Sequence, residues 1–379
     1  MNDIQSVGVH GENVRVRREY FPLLDGIRGL AAITIMYRHM GLFGVPVTSE
    51  SYLAVDLFFL LSGAVIANAY EDRLRGGMEA GDFLIRRVIR LYPMIFIGIA
   101  LGAVMCLVGA GPPGQREHLL SIVALSLVLL PDNPLVPLVG NLNGPAWSLF
   151  YELLVNAAYA MGVRRLSGRA LAVICLISSV ILCAAAAYKG HLDTGYTAKS
   201  FVFGVGRVGF SFFAGVALYR LHLAGRLNVP RRLRGRLGAA IAVALLALAM
   251  LVSPGTPLRP VFSLAAVFLV FPSVVILGLS SDMGQRAKSA CRVLGEVSYP
   301  LYLIHFPLIQ IVGGLLIQRH LPGLLLPAAV AFGPAAVALA WSLDRWVDAP
   351  VRKLLARRYT TLRSRLAPPR AAFSGSPVD

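Results

Sequence analysis

Residues 92–109 read YPMIFIGIALGAVMCLVG, eighteen positions without a charged side chain. A helix rises about 1.5 Å per residue, so a stretch of this length crosses most of the roughly 30 Å hydrocarbon core of a bilayer. The whole chain of 379 residues is 56% hydrophobic and 15% charged, with a mean hydropathy of +0.68. A soluble globular chain averages about 25% charged residues. The sequence therefore predicts an all-α integral membrane protein.

Eleven apolar segments are candidates for membrane spans. They cover residues 26–43, 54–70, 92–109, 119–130, 147–162, 170–187, 201–221, 237–252, 260–279, 298–318 and 324–346. The segment 119–130 is short, because a span needs about 20 residues. If this segment stays outside and the N-terminus is cytoplasmic, most Lys and Arg residues fall on the cytoplasmic side. If it spans, most fall outside. The positive-inside rule favours the first arrangement, a transmembrane helical bundle of about ten spans with both termini cytoplasmic.

The predicted organisation is one transmembrane domain with polar ends. Residues 1–25 form a cytoplasmic N-terminal segment, and 26–346 form the transmembrane domain. Within it, residues 110–146 form an outside loop, rich in Pro and Gly, with a short interfacial helix. Residues 347–379 form a basic cytoplasmic tail, whose end from about Leu366 is expected to be disordered.

The net charge of +17 raises the question of nucleic-acid binding. The basic residues stand in short runs between apolar segments, which is typical of charges that set membrane topology. We therefore expect contacts with anionic membrane lipids and none with nucleic acid. The four cysteines lie far apart and show no ligand spacing, so neither a metal site nor a disulfide framework is predicted.

A small set of ionisable residues falls inside the predicted spans, where such residues are costly and usually functional. By position along the chain, four of them come near the outer ends of four different spans: His39, Asp56, Glu152 and Arg207. This matched depth predicts one polar site, although Asp56 and Glu152 could instead pair with Arg207 for stability alone. His305 falls in the inner half of its predicted span, where helix packing and the lining of a donor tunnel are equal alternatives.

A second group lies at the cytoplasmic side. Arg87 and Arg90 are three residues apart and face one way on a helix. Arg28, at the start of the first span, comes to the same level. Guanidinium groups bind phosphate oxygens bidentately, so this group predicts a phosphate-bearing ligand that enters from the cytoplasm. The alternative is that Arg87 and Arg90 only set topology.

Six motifs, in order along most of the chain, resemble those of the membrane acyltransferase 3 family. The first is YFPLLDGIRGLAAITIMYRH, in which Arg28 precedes His39, and the second is VDLFFLLSG, which contains Asp56. The remaining four are FLIRRVIRLYP with Arg87 and Arg90, GPAWSLFYEL with Trp147, Ser148 and Glu152, GEVSYPLYLIHFP with Ser298, Tyr299, Tyr302 and His305, and WVDAPVRK, where Asp348 replaces the more usual Glu.

The resemblance implies an O-acyltransferase of the bacterial inner membrane. It implies an acyl-CoA donor, with acetyl favoured, and a carbohydrate acceptor such as exopolysaccharide, lipopolysaccharide or glycolipid, without a permanently bound cofactor. Arg28 and His39 would be essential, and Arg87 and Arg90 would help to hold the CoA phosphates. Further residues expected along the substrate path are Trp147, Ser148, Arg207, Tyr302 and His305.

Acyl transfer to a hydroxyl needs a base, and neutral imidazole suits that role near pH 7. We expect His39 to be the general base, oriented by Glu152 or Asp56, or else a transient acyl carrier. Two other classes compete: a secondary transporter and a non-catalytic protein of envelope assembly. A transporter usually shows repeated halves; no repeat is visible, and the cytoplasmic arginines suit CoA better than a coupled ion.

Overall fold

The computed structural model describes residues 19–131 and 141–366, and the regular elements in this part of the chain are all helical. The prediction of an all-α fold is confirmed. The α-helices are α1 Pro22–His39, α2 Ala54–Arg75, α3 Ala80–Leu107, α4 Leu119–Leu127, α5 Trp147–Gly162, α6 Gly168–Lys189, α7 Phe201–Leu223, α8 Arg236–Leu251, α9 Arg259–Ala265, α10 Phe271–Leu279, α11 Gln285–Gln318, α12 Leu325–Leu343 and α13 Ala349–Leu366.

Seven helical stretches of the described residues are long and apolar enough to cross a bilayer, so the protein is a multi-pass membrane protein. They contain α2, α3, α6, α7, the pair α9 and α10, α11, and α12 with α13. Helices α1, α5 and α8 fall on the other three predicted spans but have only 18, 16 and 16 residues. Helix α4 has nine residues, about 14 Å of length, too few to cross.

Several predicted features lie outside the described residues. They are positions 1–18 of the predicted N-terminal segment, positions 132–140 of the predicted outside loop, and the tail beyond Leu366.

Two helices begin well before the apolar segments that predicted them. Helix α3 starts at Ala80 instead of 92, and α11 starts at Gln285 instead of 298. Their first turns carry charged residues, so hydropathy marks only the apolar part of each helix. At the other end of the chain, α12 continues through a π-helical turn, Asp344–Asp348, into α13. The first part of the predicted tail is therefore a helix.

Glycines allow close contact between the helices that carry the site. Helix α1 packs along α11, and α2 packs along α7. A Cβ atom built on Gly29 of α1 would lie 2.5 Å from the Cβ of Leu294 and 2.6 Å from its carbonyl oxygen. Small residues at such crossings let helix backbones approach within a membrane.

A proline in helix α11 removes one backbone hydrogen bond of the helix, and a side chain from outside the helix replaces it. Pro307 has no N–H group, so the carbonyl of Leu303, four residues earlier, lacks its usual helical donor. The side-chain amide of Asn143 donates to that oxygen at 2.7 Å. Buried backbone groups in a membrane need such internal partners. The contact ties the chain before α5 to the middle of α11.

Candidate active site

Two histidines are in contact where the C-terminal end of α1, which the sequence places near the outer surface, crosses α11. His39 is the last residue of α1, and its Nδ1 lies 3.1 Å from Nε2 of His305. The ring centroids are 5.1 Å apart, and His305 is fully buried. The sequence placed His305 in the inner half of its predicted span and His39 near the outer end of another, whereas the contact brings the two rings together.

Each histidine also contacts the backbone of its own helix. His39 Nδ1 lies 2.9 Å from the carbonyl oxygen of Ile35, and His305 Nδ1 lies 2.8 Å from that of Leu301. The ring of Phe306 packs edge-on against His39 at 5.4 Å between centroids. The two imidazoles are therefore held by hydrogen bonds and packing from both helices.

His39 lines a cavity of about 720 Å³, here called the outer cavity. Its walls come from the end of α1, from the middle of α11, from the loop after α3 and from the loop between α6 and α7. Aromatic and hydrogen-bonding side chains share the lining, among them Arg38, Gln115, Asn141, Trp147, Asp193, Tyr196, Tyr302 and Gln310. The volume falls within the range of about 300–1,000 Å³ that is usual for small-molecule sites.

The two carboxylates expected to orient His39 have other partners. Asp56 forms a fully buried ion pair with Arg207, whose Nε and Nη2 donate to the carboxylate at distances of 2.6–3.2 Å. Arg207 also donates to the carbonyl of Thr194 at 2.8 Å. The sequence left this pairing open as a structural alternative, and it is the arrangement present.

Glu152 lies with the arginines. Its Oε1 accepts from Arg87 at 2.5 Å and from the hydroxyl of Ser62 at 3.1 Å. The sequence placed Glu152 near the outer side and Arg87 at the cytoplasmic side, whereas this contact brings the two side chains to one level. Neither carboxylate orients His39 in this structure; His305 and Ile35 do.

The residues expected along the substrate path divide into two sets. Trp147 and Tyr302 line the outer cavity. Ser148, Arg207 and His305 lie behind that wall. The Tyr302 hydroxyl donates to the carbonyl of Pro145 at 2.8 Å and so accepts from Ser148, also at 2.8 Å. The Arg207 guanidinium lies over the Trp147 ring, 5.4 Å from its centroid.

Arg28 lies in the first half of α1, eleven positions before His39, and bonds α11. Its Nε donates to Ser298 Oγ at 3.0 Å and its Nη2 to the carbonyl of Gly295 at 3.2 Å. Asp25 forms an ion pair with it at 3.0 Å, and the Arg28 side chain is still 33% exposed. Arg28 therefore keeps an accessible face for an anionic ligand.

Arg87 and Arg90 differ in accessibility. Arg87 is 13% exposed and held by Glu152, whereas Arg90 is 35% exposed and reaches Asp348 at the longer distance of 3.4 Å. Arg90 also lies 5.2 Å from the ring centroid of Tyr299, the residue next to Ser298. Because Arg28 and Arg90 contact neighbouring residues of α11, the structure brings both to the same level of the bundle.

The structure also reveals partners that the sequence argument missed. Asp193 in the loop after α6 pairs with Arg38 at 2.8 Å on the wall of the outer cavity. Asp25 pairs with Arg28, and Asn143 caps the carbonyl of Leu303. None of the three stands inside an apolar segment as an isolated charge. Of the three, only Asp25 lies in a stretch that the sequence analysis had quoted as a motif before its role was known, the one that also contains Arg28 and His39.

The chain is similar to known acyltransferases over the region that contains most of these motifs. The model of an acyltransferase domain, Acyl_transf_3, matches residues 21–345. Acyltransferase MdmB of Streptomyces mycarofaciens is 26% identical over 377 residues, covering 89% of this chain and 93% of that protein. Protein 2 in the picA locus of Rhizobium radiobacter is 41% identical over 187 residues, covering 45% of this chain and 96% of that protein.

A further relative is matched over about half of its own length. The putative peptidoglycan O-acetyltransferase YrhL of Bacillus subtilis is 25% identical over 325 residues, which cover 76% of this chain and 49% of that protein. No solved structure matches the chain. The domain match spans α1 to α12 and includes both the histidine pair and the three arginines. The chain belongs to the acyltransferase 3 family of membrane proteins.

Proposed function

We propose that this protein transfers an acyl group, with acetyl favoured, from acyl-CoA to a hydroxyl of a carbohydrate acceptor. The observation that carries the proposal is the position of His39, which lines a cavity rich in aromatic and hydrogen-bonding side chains. Family membership supports acyl transfer, and relatives named as peptidoglycan O-acetyltransferases support a carbohydrate acceptor. Exopolysaccharide, lipopolysaccharide and glycolipid are acceptors of this class.

His39 has two possible roles in the chemistry. As a general base, its imidazole takes the proton of the acceptor hydroxyl while that oxygen attacks the thioester carbonyl, and the carbon–sulfur bond then breaks to release CoA. Positioned general bases contribute about 10²–10⁴-fold. As a nucleophile, the imidazole would first carry the acyl group and then pass it to the acceptor.

The donor is proposed to bind at the arginines on the far side of the bundle. Arg28 and Arg90 have partly exposed guanidinium groups at the same level of α11, which suits the phosphates of CoA. Arg87 is largely buried against Glu152 and would support this site by holding α3 and α5 together. The acyl end of the donor would then extend along α1 toward His39.

The proposed membrane arrangement has ten spans in the bacterial inner membrane, with both termini in the cytoplasm. The distribution of Lys and Arg along the sequence supports it. The arginines then face the cytoplasm, where acyl-CoA is made available, and the outer cavity faces the opposite side. An acceptor on that side would receive an acyl group that has crossed the bundle.

CoA release tests the proposal directly. Purified protein in lipid nanodiscs, supplied with acetyl-CoA and envelope polysaccharide, should release CoA in an acceptor-dependent manner, and His39→Ala should lose this activity by at least about 10²-fold. His222→Gln is the matched control, because His222 bonds Glu19 far from the cavity and should leave the rate unchanged.

The outcomes separate the function classes. Release that needs both acceptor and His39 supports acyl transfer. Equal rates in the wild type and His39→Ala would overturn the assigned role. No release with any acyl-CoA, together with no CoA binding, would favour the transporter or the non-catalytic envelope protein.

A further inference from the structure

The hydrogen bonds around the two histidines define which nitrogen of each ring carries a proton. A backbone carbonyl oxygen only accepts hydrogen bonds. The Nδ1 atoms of His39 and His305 lie 2.9 Å and 2.8 Å from the carbonyl oxygens of Ile35 and Leu301. In the neutral state each imidazole therefore carries its proton on Nδ1, and each Nε2 holds a lone pair.

This assignment gives the contact between the rings a direction. His305 Nε2 lies 3.1 Å from His39 Nδ1, so it accepts a second, shared hydrogen bond from the Nδ1–H group of His39. His305 itself cannot rotate freely, because it is fully buried and its own Nδ1–H is bonded to Leu301. It offers His39 a fixed acceptor.

The consequence concerns the other side of the His39 ring. With Nδ1–H engaged by Ile35 and His305, the lone pair of His39 is on Nε2, the ring nitrogen turned away from those two partners. His39 lines the outer cavity, whereas His305 does not. The lone pair that must take a proton or attack a thioester is therefore on the ring nitrogen that bonds neither Ile35 nor His305.

We propose that His305 is a positioning residue, which fixes the tautomer and ring orientation of His39 by accepting a hydrogen bond from its Nδ1–H group. This inference rests on the proposed function of His39. In many histidine-dependent enzymes a carboxylate fills such a role and also stabilises the imidazolium. Here a neutral imidazole fills it.

Three carboxylates in the described part of the chain that could have served His39 have arginine partners instead. Asp56 is paired with Arg207, Glu152 with Arg87, and Asp193 with Arg38. A neutral acceptor also avoids placing a second charge in the interior of the bundle, where an ion without a partner is costly. The arrangement orients the base without adding a buried ion.

Two substitutions separate this role from simple packing. His305→Leu keeps the apolar volume but removes the acceptor, whereas His305→Gln places an amide oxygen near the position of Nε2 and can accept again. We expect His305→Leu to lower kcat for acyl transfer by about tenfold or more, the value of one positioned hydrogen bond. The KM for acetyl-CoA should stay unchanged, since the arginines are remote. His305→Gln should recover most of the lost kcat.

Each result has a defined meaning. A kcat for His305→Leu equal to that of the wild type, in a preparation where His39→Ala is inactive, would overturn the inference and leave the proposed function standing. Equal losses in His305→Gln and His305→Leu, with both proteins folded by thermal unfolding, would also overturn it, since an acceptor alone would not be sufficient. Full activity in His39→Ala would instead overturn the proposed function itself.

Discussion

At the scale of single residues, the clearest separation is between side chains that serve stability and those available for chemistry. Asp56 and Arg207 are both fully buried and bonded to each other. Removing one partner of a buried ion pair leaves an uncompensated charge and costs about 3–5 kcal/mol, whereas replacing both partners with apolar residues is often neutral. We expect Asp56→Leu and Arg207→Met each to destabilise the protein strongly, and the double variant to be more stable than either.

Thermal unfolding of the purified variants in one detergent measures this coupling. The control is His39→Ala, which should unfold close to the wild-type temperature while losing activity, because His39 borders a cavity. Additive losses in the double variant would show that Asp56 and Arg207 do not act as a pair.

The sequence predicted the depth of these residues better than their partners. Counting residues along a helix gives a height through its rise of about 1.5 Å per residue, and this placed Asp56 and Arg207 together correctly. It did not predict the contact between Glu152 and Arg87, two residues that it had placed at different levels. Height says nothing about which neighbouring helix a side chain faces. The sequence therefore could not predict that His39 on α1 faces His305 on α11.

At the scale of elements, the packed pair of helices α1 and α11 holds both histidines of the candidate site and Arg28. Two side chains of α1 contact α11: Arg28 bonds Ser298, and His39 at the end of α1 contacts His305. Eleven residues of α1 separate Arg28 from His39, about 16 Å of helix. The apolar segment of α11 predicted a helix there. The full length of α11 could not be predicted from hydropathy, because the first turns of the helix are polar.

The crossing of these two helices gives a testable prediction. A methyl group added in Gly29→Ala would meet the side chain and backbone of Leu294, so the helices must separate. Overpacking of this kind costs about 1–3 kcal/mol. We expect a lower unfolding temperature and, because Arg28 and His39 flank the contact, a lower acyl-transfer rate.

Gly81→Ala is the matched control for this prediction. A Cβ atom at Gly81 in α3 meets nothing within 4 Å, and alanine is the better helix former by about 1 kcal/mol. Its stability should be equal to or slightly above that of the wild type. A Gly29→Ala variant as stable as Gly81→Ala would mean that α1 and α11 do not pack as tightly as the structure shows.

At the scale of the whole molecule, the candidate site has two ends. The partly exposed Arg28 and Arg90 lie at one level of the bundle, and the outer cavity with His39 lies at the other end of α1. The hydrogen bonds from Arg28 and His39 reach Ser298 and His305, seven residues apart on α11, or about 10 Å.

The orientation of the bundle decides what this separation means, and single cysteines can establish it. The four native cysteines, Cys106, Cys175, Cys183 and Cys291, are first replaced. The proposed topology then predicts that a single cysteine substituted for Arg116 or Arg319 reacts with a membrane-impermeant maleimide in intact cells. Cysteine at Arg226 or Arg286 should react only after the membrane is opened, because the positive-inside rule places those residues in the cytoplasm. The reverse labelling pattern would put the arginines and the CoA-binding proposal on the wrong side of the membrane. Labelling of Arg116 and Arg319 from opposite sides would instead show that the segment around α4 crosses the bilayer, and the count of ten spans would fail.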